Sequence, residues 1–292
     1  MASLKEIKGR IASVQSTQKI TSAMKMVASA KLHHAQAAIT GMWPYEQKLS
    51  GILTAFLANE QDIESPYIVA RPVVKRVAIV AFSSNSSLCG AFNSNVARHL
   101  QQMCDEYKHL PSGDLLIYPI GKKIGEAAKK SGRGTIQGDF EALAEKPSFA
   151  EMAKIAYQLM DLFRNGEVDK VEILYNHFKN TASQELSRKT YLPLDLDALK
   201  QKKATTTANV DYIVEPNKQE LINMLLPHTI ALQLFTALLD SQASEQAARM
   251  LAMQIATDNA NDILQELTVL YNKSRQQAIT NELLDIMGGS MK

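Results

Sequence analysis

Between His228 and Met287 the chain carries neither glycine nor proline, and between Arg10 and Thr40 it carries none either. These two residues end helices most readily, so each stretch is expected to be helical throughout. Runs of this size suggest a coiled coil or helical repeat rather than an ordinary packed helix. At about 1.5 Å per residue the C-terminal run spans roughly 90–100 Å, against about 80 Å for the whole N-terminal helical pattern from Leu4 to Leu57. No 34- or 40-residue repeat signature occurs in either. The economical arrangement is one helix from each end of the chain, packed antiparallel as a long two-helix coiled coil.

The periodicity sharpens this. Ser3 and Glu6 have capping-box spacing at the front of the first helix. Leu4, Ile7, Ile11, Val14, Gln18, Thr21, Lys25, Ala28, Leu32, Ala35, Ile39 and Met42 then fall at alternating spacings of three and four. That is a heptad-like seam whose middle is polar. Pro44 is placed to bend the helix, and the pattern resumes through Leu49, Ile52, Leu53, Phe56 and Leu57 before ending ahead of Pro66. The second helical pattern begins near Asn217 and is expected to be interrupted by Pro227. Being longer, it must overhang its partner. Its last turns carry Ile279, Leu283, Leu284, Ile286 and Met287 around much of the circumference, and a single helix greasy on several faces needs a surrounding partner.

The middle of the chain has a different grain. Arg76–Phe82 and Asp114–Ile120 are short apolar runs of the buried-strand type, and Lys170–His177 and Glu185–Leu192 read as two more strands. Helical patterns lie between them: one with Val96, Leu100 and Met103 on a face, one from Gly121 to Lys130, and one opened by a capping box at Ser148–Glu151 and running to about Phe163. Strands alternating with helices predict a small Rossmann-like α/β domain with a partly parallel sheet, inserted between the terminal helices of an α+β chain. The expected boundaries are 1–60 for the N-terminal helix, 70–195 for the α/β domain, 196–216 for a mobile loop and a short foot, and 217–288 for the C-terminal helix. Lys200–Asn209 has little to bury and is expected to be mobile.

Few chemistries are supported. Ser83–Asn93, between a strand and a helix, is where a phosphate loop would lie, but it has neither G-x-G-x-x-G nor a Walker lysine. Cys89 and Cys104, the only cysteines, are too few for a disulfide framework or structural zinc, and Cys89 reads as a small buried thiol. His33 and His34, being adjacent, cannot share a helical face. No H-E-x-x-H, G-x-S-x-G or C-x-x-C occurs, so no catalytic apparatus, cofactor or metal is expected. The methionines on the helices, such as Met24, Met26, Met250 and Met253, read as seam filler, with adaptable sliding contact as the alternative. A formal net charge of +2 argues for neither nucleic acid nor lipid. From Met1 to Lys48, however, seven basic residues face only Glu6 and Glu46, which suits an acidic partner or a solvated helix face. No uncharged leader core and no stretch approaching a transmembrane span is read, so a cytosolic, reducing setting is expected.

Three segments carry a family resemblance. Lys5–Lys31 (KEIKGRIASVQSTQKITSAMKMVASAK) resembles the N-terminal signature of the gamma subunit of bacterial rotary ATP synthase. Ser244–Ala260 (SEQAARMLAMQIATDNA) and Tyr271–Glu282 (YNKSRQQAITNE) resemble its C-terminal signatures. The resemblance implies a central stalk turning inside a hexamer of alpha and beta subunits that hold the nucleotide sites. Its other implied partners are the epsilon subunit and the membrane-embedded c-ring, so that membrane association is peripheral, at the cytoplasmic face of the inner membrane. By the same resemblance Met24 matches a coupling contact and Arg249, Arg275, Gln276 and Thr280 match polar contacts to the beta subunits. Tyr212 and Glu215 match the foot that meets the ring. The sequence departs from the family where Asn85-Ser86-Ser87 stand for Asp-Arg/Lys-Gly ahead of Leu88-Cys89-Gly90-Ala91, at Ser290, and at Val214, where an aromatic is common. The polar seam is expected to soften contacts that must change during rotation. The rivals are a free coiled-coil adaptor or chaperone and a small nucleotide-using enzyme.

Overall fold

The computed structural model describes residues 3–59, 65–194 and 217–290. They form helices α1 (Leu4–Asn59), α2 (Phe92–Glu106), α3 (Lys122–Ser131), α4 (Glu141–Glu145), α5 (Phe149–Arg164) and α6 (Lys218–Ser290). The strands are β1 (Val77–Phe82), β2 (Leu115–Ile120), β3 (Thr135–Ile136), β4 (Lys170–Phe178) and β5 (Gln184–Leu192). This is an α/β chain with a long helix at each end. It divides into two compact units, one of Met1–Ala30 with Arg249–Lys292 and one of Lys31–Ala248.

In the larger unit the five strands lie in the order β3-β2-β1-β4-β5. All pairings are parallel except β4 with β5. The six residues of β1 are all buried, as a strand covered on both faces requires. Val77, Ile79 and Ala81 pack with Val96, Leu100 and Met103 of α2 and Ile124 and Ala128 of α3. Ala78, Val80 and Phe82 face the opposite way, onto Met152, Leu159 and Phe163 of α5 and Leu226, Ile230 and Leu234 of α6. The segment entering β1 is clasped by Arg71, which donates to Val168 O at 3.0 Å, to Asp169 Oδ1 at 2.7 Å and to Phe163 O. Asp169 Oδ2 in turn accepts the backbone N–H groups of Lys75 and Arg76.

Pro227 does not interrupt α6. A proline inside a helix costs about 3 kcal/mol, but Leu226, Ile230 and Leu234 around it are at most 1% exposed, and each such side chain contributes about 1.5–3 kcal/mol. Packing wins. The helix begins instead where Asn217 Oδ1 accepts Glu220 N at 2.8 Å. A second correction concerns membrane-like segments: α6 holds a stretch long and apolar enough to cross a bilayer. Its leucines and isoleucines cover the sheet, which accounts for the composition. At the N-termini, Ser3 Oγ caps Glu6 N as expected. Ser148 makes no side-chain cap; Glu151 pairs forward with Lys154 at 2.7 Å rather than back. The strand β3, the helix α4 and a 3-10 turn at Ser112–Asp114 have no counterpart in the sequence pattern, being too short for a periodic signal.

In the smaller unit α1 and α6 pair antiparallel. Gln18 Nε2 donates to Asn261 Oδ1 at 3.3 Å, the Thr21 and Thr257 hydroxyls lie 2.8 Å apart, and Lys25 Nζ donates to Gln254 Oε1 at 2.8 Å. Extending this register brings Leu4 level with about residue 275, at equal rise on both helices. From Arg275 to Met287 every residue is exposed.

Candidate functional site

In a sheet of this order the place to look for a ligand is the crevice at the carboxyl ends of β1 and β4, where the chain reverses its direction of travel across the sheet. That crevice is filled by α6. Asp240 accepts Phe178 N at 2.8 Å, and its other oxygen lies 2.6 Å from His177 Nδ1. Ser244 donates to Asn176 O at 3.0 Å. Between Phe82, Ser83, Leu238, Ser241, Gln242 and Glu245 only about 10 Å³ remains open, room for roughly one water.

The phosphate-loop position is likewise occupied from within. First-turn amides of a helix are what would hold a phosphate. In α3, Lys122 N donates to Asn85 Oδ1, Lys123 N to Ser84 O and Ile124 N to Ser83 Oγ, all within 3.1 Å. Asn93 braces the loop by accepting Ser84 N and donating to Ser84 Oγ. Gly121 permits this closeness: it has φ +109°, and a Cβ there would lie 2.3 Å from Ser83 O. Cys89 is buried. His33 and His34 both lie exposed on α1 and belong to no cluster that could hold a metal ion. Among the described residues no cluster of His, Cys, Asp or Glu side chains is arranged to hold a metal ion.

The exposed chemistry lies in the paired helices. Met24 is half-buried beside the Lys25–Gln254 bond. Arg249 is buried, whereas Arg275, Gln276 and Thr280 are exposed on α6 beyond the reach of α1. The Thr280 hydroxyl donates to Gln276 O at 2.9 Å, one turn back. Tyr212 and Glu215 lie outside the described residues, as does the Lys200–Asn209 segment. The polar seam is a correction: Gln18, Thr21 and Lys25 turn toward α6 and bond there, rather than offering softened surface outward. Periodicity also passes over apolar residues off the seam. Ile20, Met26 and Val27 on α1, and Ile255, Ile263, Val269 and Leu270 on α6, are exposed in addition to the expected tip. Their signal is there to see, as large apolar side chains at positions a two-helix seam leaves unused.

The comparisons agree with this geometry. The family model described as ATP synthase matches residues 3–291. An ATP synthase gamma chain of Phocaeicola vulgatus is 60% identical over 292 residues, covering all of both chains. The chain belongs to the ATP synthase gamma-chain family. A gamma chain of Bacteroides fragilis is also 60% identical over 291 residues, again covering both chains fully. Among solved structures, a chain of the Tetrahymena thermophila mitochondrial ATP synthase central stalk and c-ring is 26% identical. It covers 81% of this chain and 99% of its own length, with a TM-score of 0.57. A chain of the Euglena gracilis mitochondrial enzyme has a TM-score of 0.64 at 22% identity, covering 99% and 93%, and supports the fold of this gamma-family chain.

Proposed function

We propose that this gamma-family chain is the central rotor shaft of a rotary ATP synthase, coupling ion flow through a c-ring to ATP synthesis or hydrolysis at an alpha/beta hexamer. The observation that carries this is 60% identity, end to end, with ATP synthase gamma chains. The shaft is non-catalytic; nucleotide chemistry belongs to the alpha and beta subunits. Its paired terminal helices form a coiled coil, spanning about residues 1–60 and 217–288, and residues 70–195 make the α/β domain that meets the epsilon subunit and the ring. The complex is membrane-associated, with this chain in its peripheral part, at the cytoplasmic face.

A shaft acts only through interactions that differ among the states of its partners. Rotation presents Met24, Arg275, Gln276 and Thr280 to each beta subunit in turn, biasing it among conformations of unequal nucleotide affinity; Arg249, buried within the chain, is not presented. The exposed apolar tip, Ile279 to Met287, is the part a hexamer collar would enclose, since a patch of this kind in water is unfavourable. Tyr212 and Glu215 serve as the foot on the ring. A free adaptor or chaperone is disfavoured by the same tip, which a partner-free chain would leave wet.

Co-purification with alpha and beta subunits tests the reading, followed by ATPase assay with and without this chain. A stoichiometric complex with altered turnover is expected. Failure to enter the complex, with a stable soluble chain left behind, would return the adaptor.

A further inference from the structure

The layers of Gln18, Thr21 and Lys25 are where the pairing of α1 with α6 depends on matched polar groups rather than on shape. The neighbouring seam is built from Val14, Ala28, Met253 and Ala260, all half-buried or buried. Small side chains and a flexible methionine pack nearly as well after a slide of one turn. The polar layers do not. A one-turn slide in one direction sets Gln18 against Leu264; in the other it sets Lys25 against Met250 and Val14 against Asn261. Either way one polar layer meets an apolar side chain, while others exchange matched partners for different polar ones, such as Thr21 with Asn261 or Gln18 with Thr257. Thr21 and Thr257 sit centrally, both buried, and with Thr257 held to its own helix the Thr21 hydroxyl is the donor across the pair. Thr257 Oγ1 donates to Met253 O at 2.8 Å, and Thr21 Oγ1 lies 3.1 Å from Gln18 O.

We propose that Gln18–Asn261, Thr21–Thr257 and Lys25–Gln254 are positioning pairs that lock the axial register of the two helices. A single polar layer is known to fix register in paired helices at some expense of stability. Here the register sets how far α6 extends past the start of α1. A slip of one turn would move Arg275, Gln276 and Thr280 by about 5.4 Å relative to α1. The inference concerns only the chain's own helices, so it stands or falls apart from the rotor reading.

Disulfide trapping in the full-length chain tests it. By the observed register Ile11 faces Leu267, whereas Leu264 and Tyr271 lie one turn to either side. With cysteine at 11 and at one of these three positions, mild oxidation is expected to close 11–267 and leave the shifted pairs largely open. Thr21→Val/Thr257→Val keeps volume and branching while removing both hydroxyls, and Gln18→Leu/Asn261→Leu does the same for the neighbouring, more exposed layer. In the two combined, closure of the shifted pairs is expected to rise about tenfold, the equivalent of one good hydrogen bond. Thr21→Ser/Thr257→Ser is expected to keep the parental preference. Should the valine pair fail to fold, the leucine pair alone carries the test. Retention of the parental preference with these two layers and the Lys25–Gln254 pair (Lys25→Leu/Gln254→Leu) all removed, or slippage of the serine pair to the extent of the valine pair, would overturn the proposal.

Discussion

In β1 every residue is buried, whereas from Arg275 to Met287 every residue is exposed. The two segments are comparably apolar in places; what differs is whether the chain itself supplies the cover. Around β1 it does so on both faces, with α2 and α3 on one and α5 and α6 on the other. At the end of α6 it supplies none, and Leu283, Leu284, Ile286 and Met287 stay more than half exposed. A chain that can build a three-layer core yet leaves the end of its longest helix uncovered is complete in one unit and waits for other subunits in the second.

The sharpest way to break that comparison is to truncate one large apolar side chain in each unit. Phe163 is 1% exposed under the sheet, and Phe163→Ala is expected to lower stability by about 3–5 kcal/mol. Leu284→Ala should change the free chain by less than about 0.5 kcal/mol but weaken its assembly with alpha and beta subunits. Denaturant midpoints and complex yield are the two readouts. Equal loss of stability at both positions would mean that the tip is covered by its own chain after all.

Next in size is the Arg71 clasp. Burial pushes the Asp169 carboxyl up, but the Arg71 hydrogen bond and the N–H groups of Arg76 and Lys75 outweigh it and hold the group below the usual carboxylate range. Its folded value therefore lies below its unfolded one. The stability it contributes is present above about pH 4 and disappears as pH falls through the depressed value. Asp169→Asn is expected to cost about 2 kcal/mol at neutral pH, in line with breaking a partly buried pair. It should also flatten the acid limb of stability against pH. An unchanged acid limb would place the titration elsewhere.

These cases also show what can be read before folding. The strands β1, β2, β4 and β5, and the helices that separate them, are legible because each repeats a pattern over at least six residues. The seam from Leu4 to Met42 is legible for the same reason, and none of its twelve positions is exposed. Pro227 misleads because local propensity carries no knowledge of Leu226 and Ile230 beneath the sheet. The partners of the polar seam, Gln254, Thr257 and Asn261, depend on an antiparallel register that one strand of the pair cannot state. The Asp169 clasp joins residues 98 apart in sequence, and no spacing rule reaches that far. Of the proposed interface positions, Met24 and the three exposed residues on α6 come from resemblance, not periodicity.

A smaller effect is expected at Met24, on function rather than folding. Met24 is half-buried, and the neighbouring Lys25 ammonium is already engaged with Gln254. On the proposed interface, Met24→Lys adds a second, unengaged cation that an acidic side chain of a beta subunit would pair with. A new exposed ion pair is worth about 0.2–1 kcal/mol, enough to favour one orientation over the next without unfolding anything. Ion pumping per ATP hydrolysed, measured in the reconstituted complex, should fall. Full coupling would remove Met24 from the interface.

A change of comparable size has the opposite sign and lies in the self-contained unit. Leu88 has φ +68° and its side chain is 60% exposed, so it bears left-handed strain with little burial in return. That strain is about 1–2 kcal/mol for a side chain bearing a Cβ. Leu88→Gly removes it but adds backbone freedom to the unfolded chain worth about 0.5–1 kcal/mol. The balance is a gain of up to about 1.5 kcal/mol, because the loop geometry is held by Ser84, Ser86 and Asn93 rather than by Leu88. A rise in the denaturation midpoint with unchanged assembly would make Leu88 a tolerated flaw of the sheet unit. A rise accompanied by weaker assembly would mean that even the well-covered unit keeps one strained, greasy side chain for a partner, and the contrast between the two units would become one of degree.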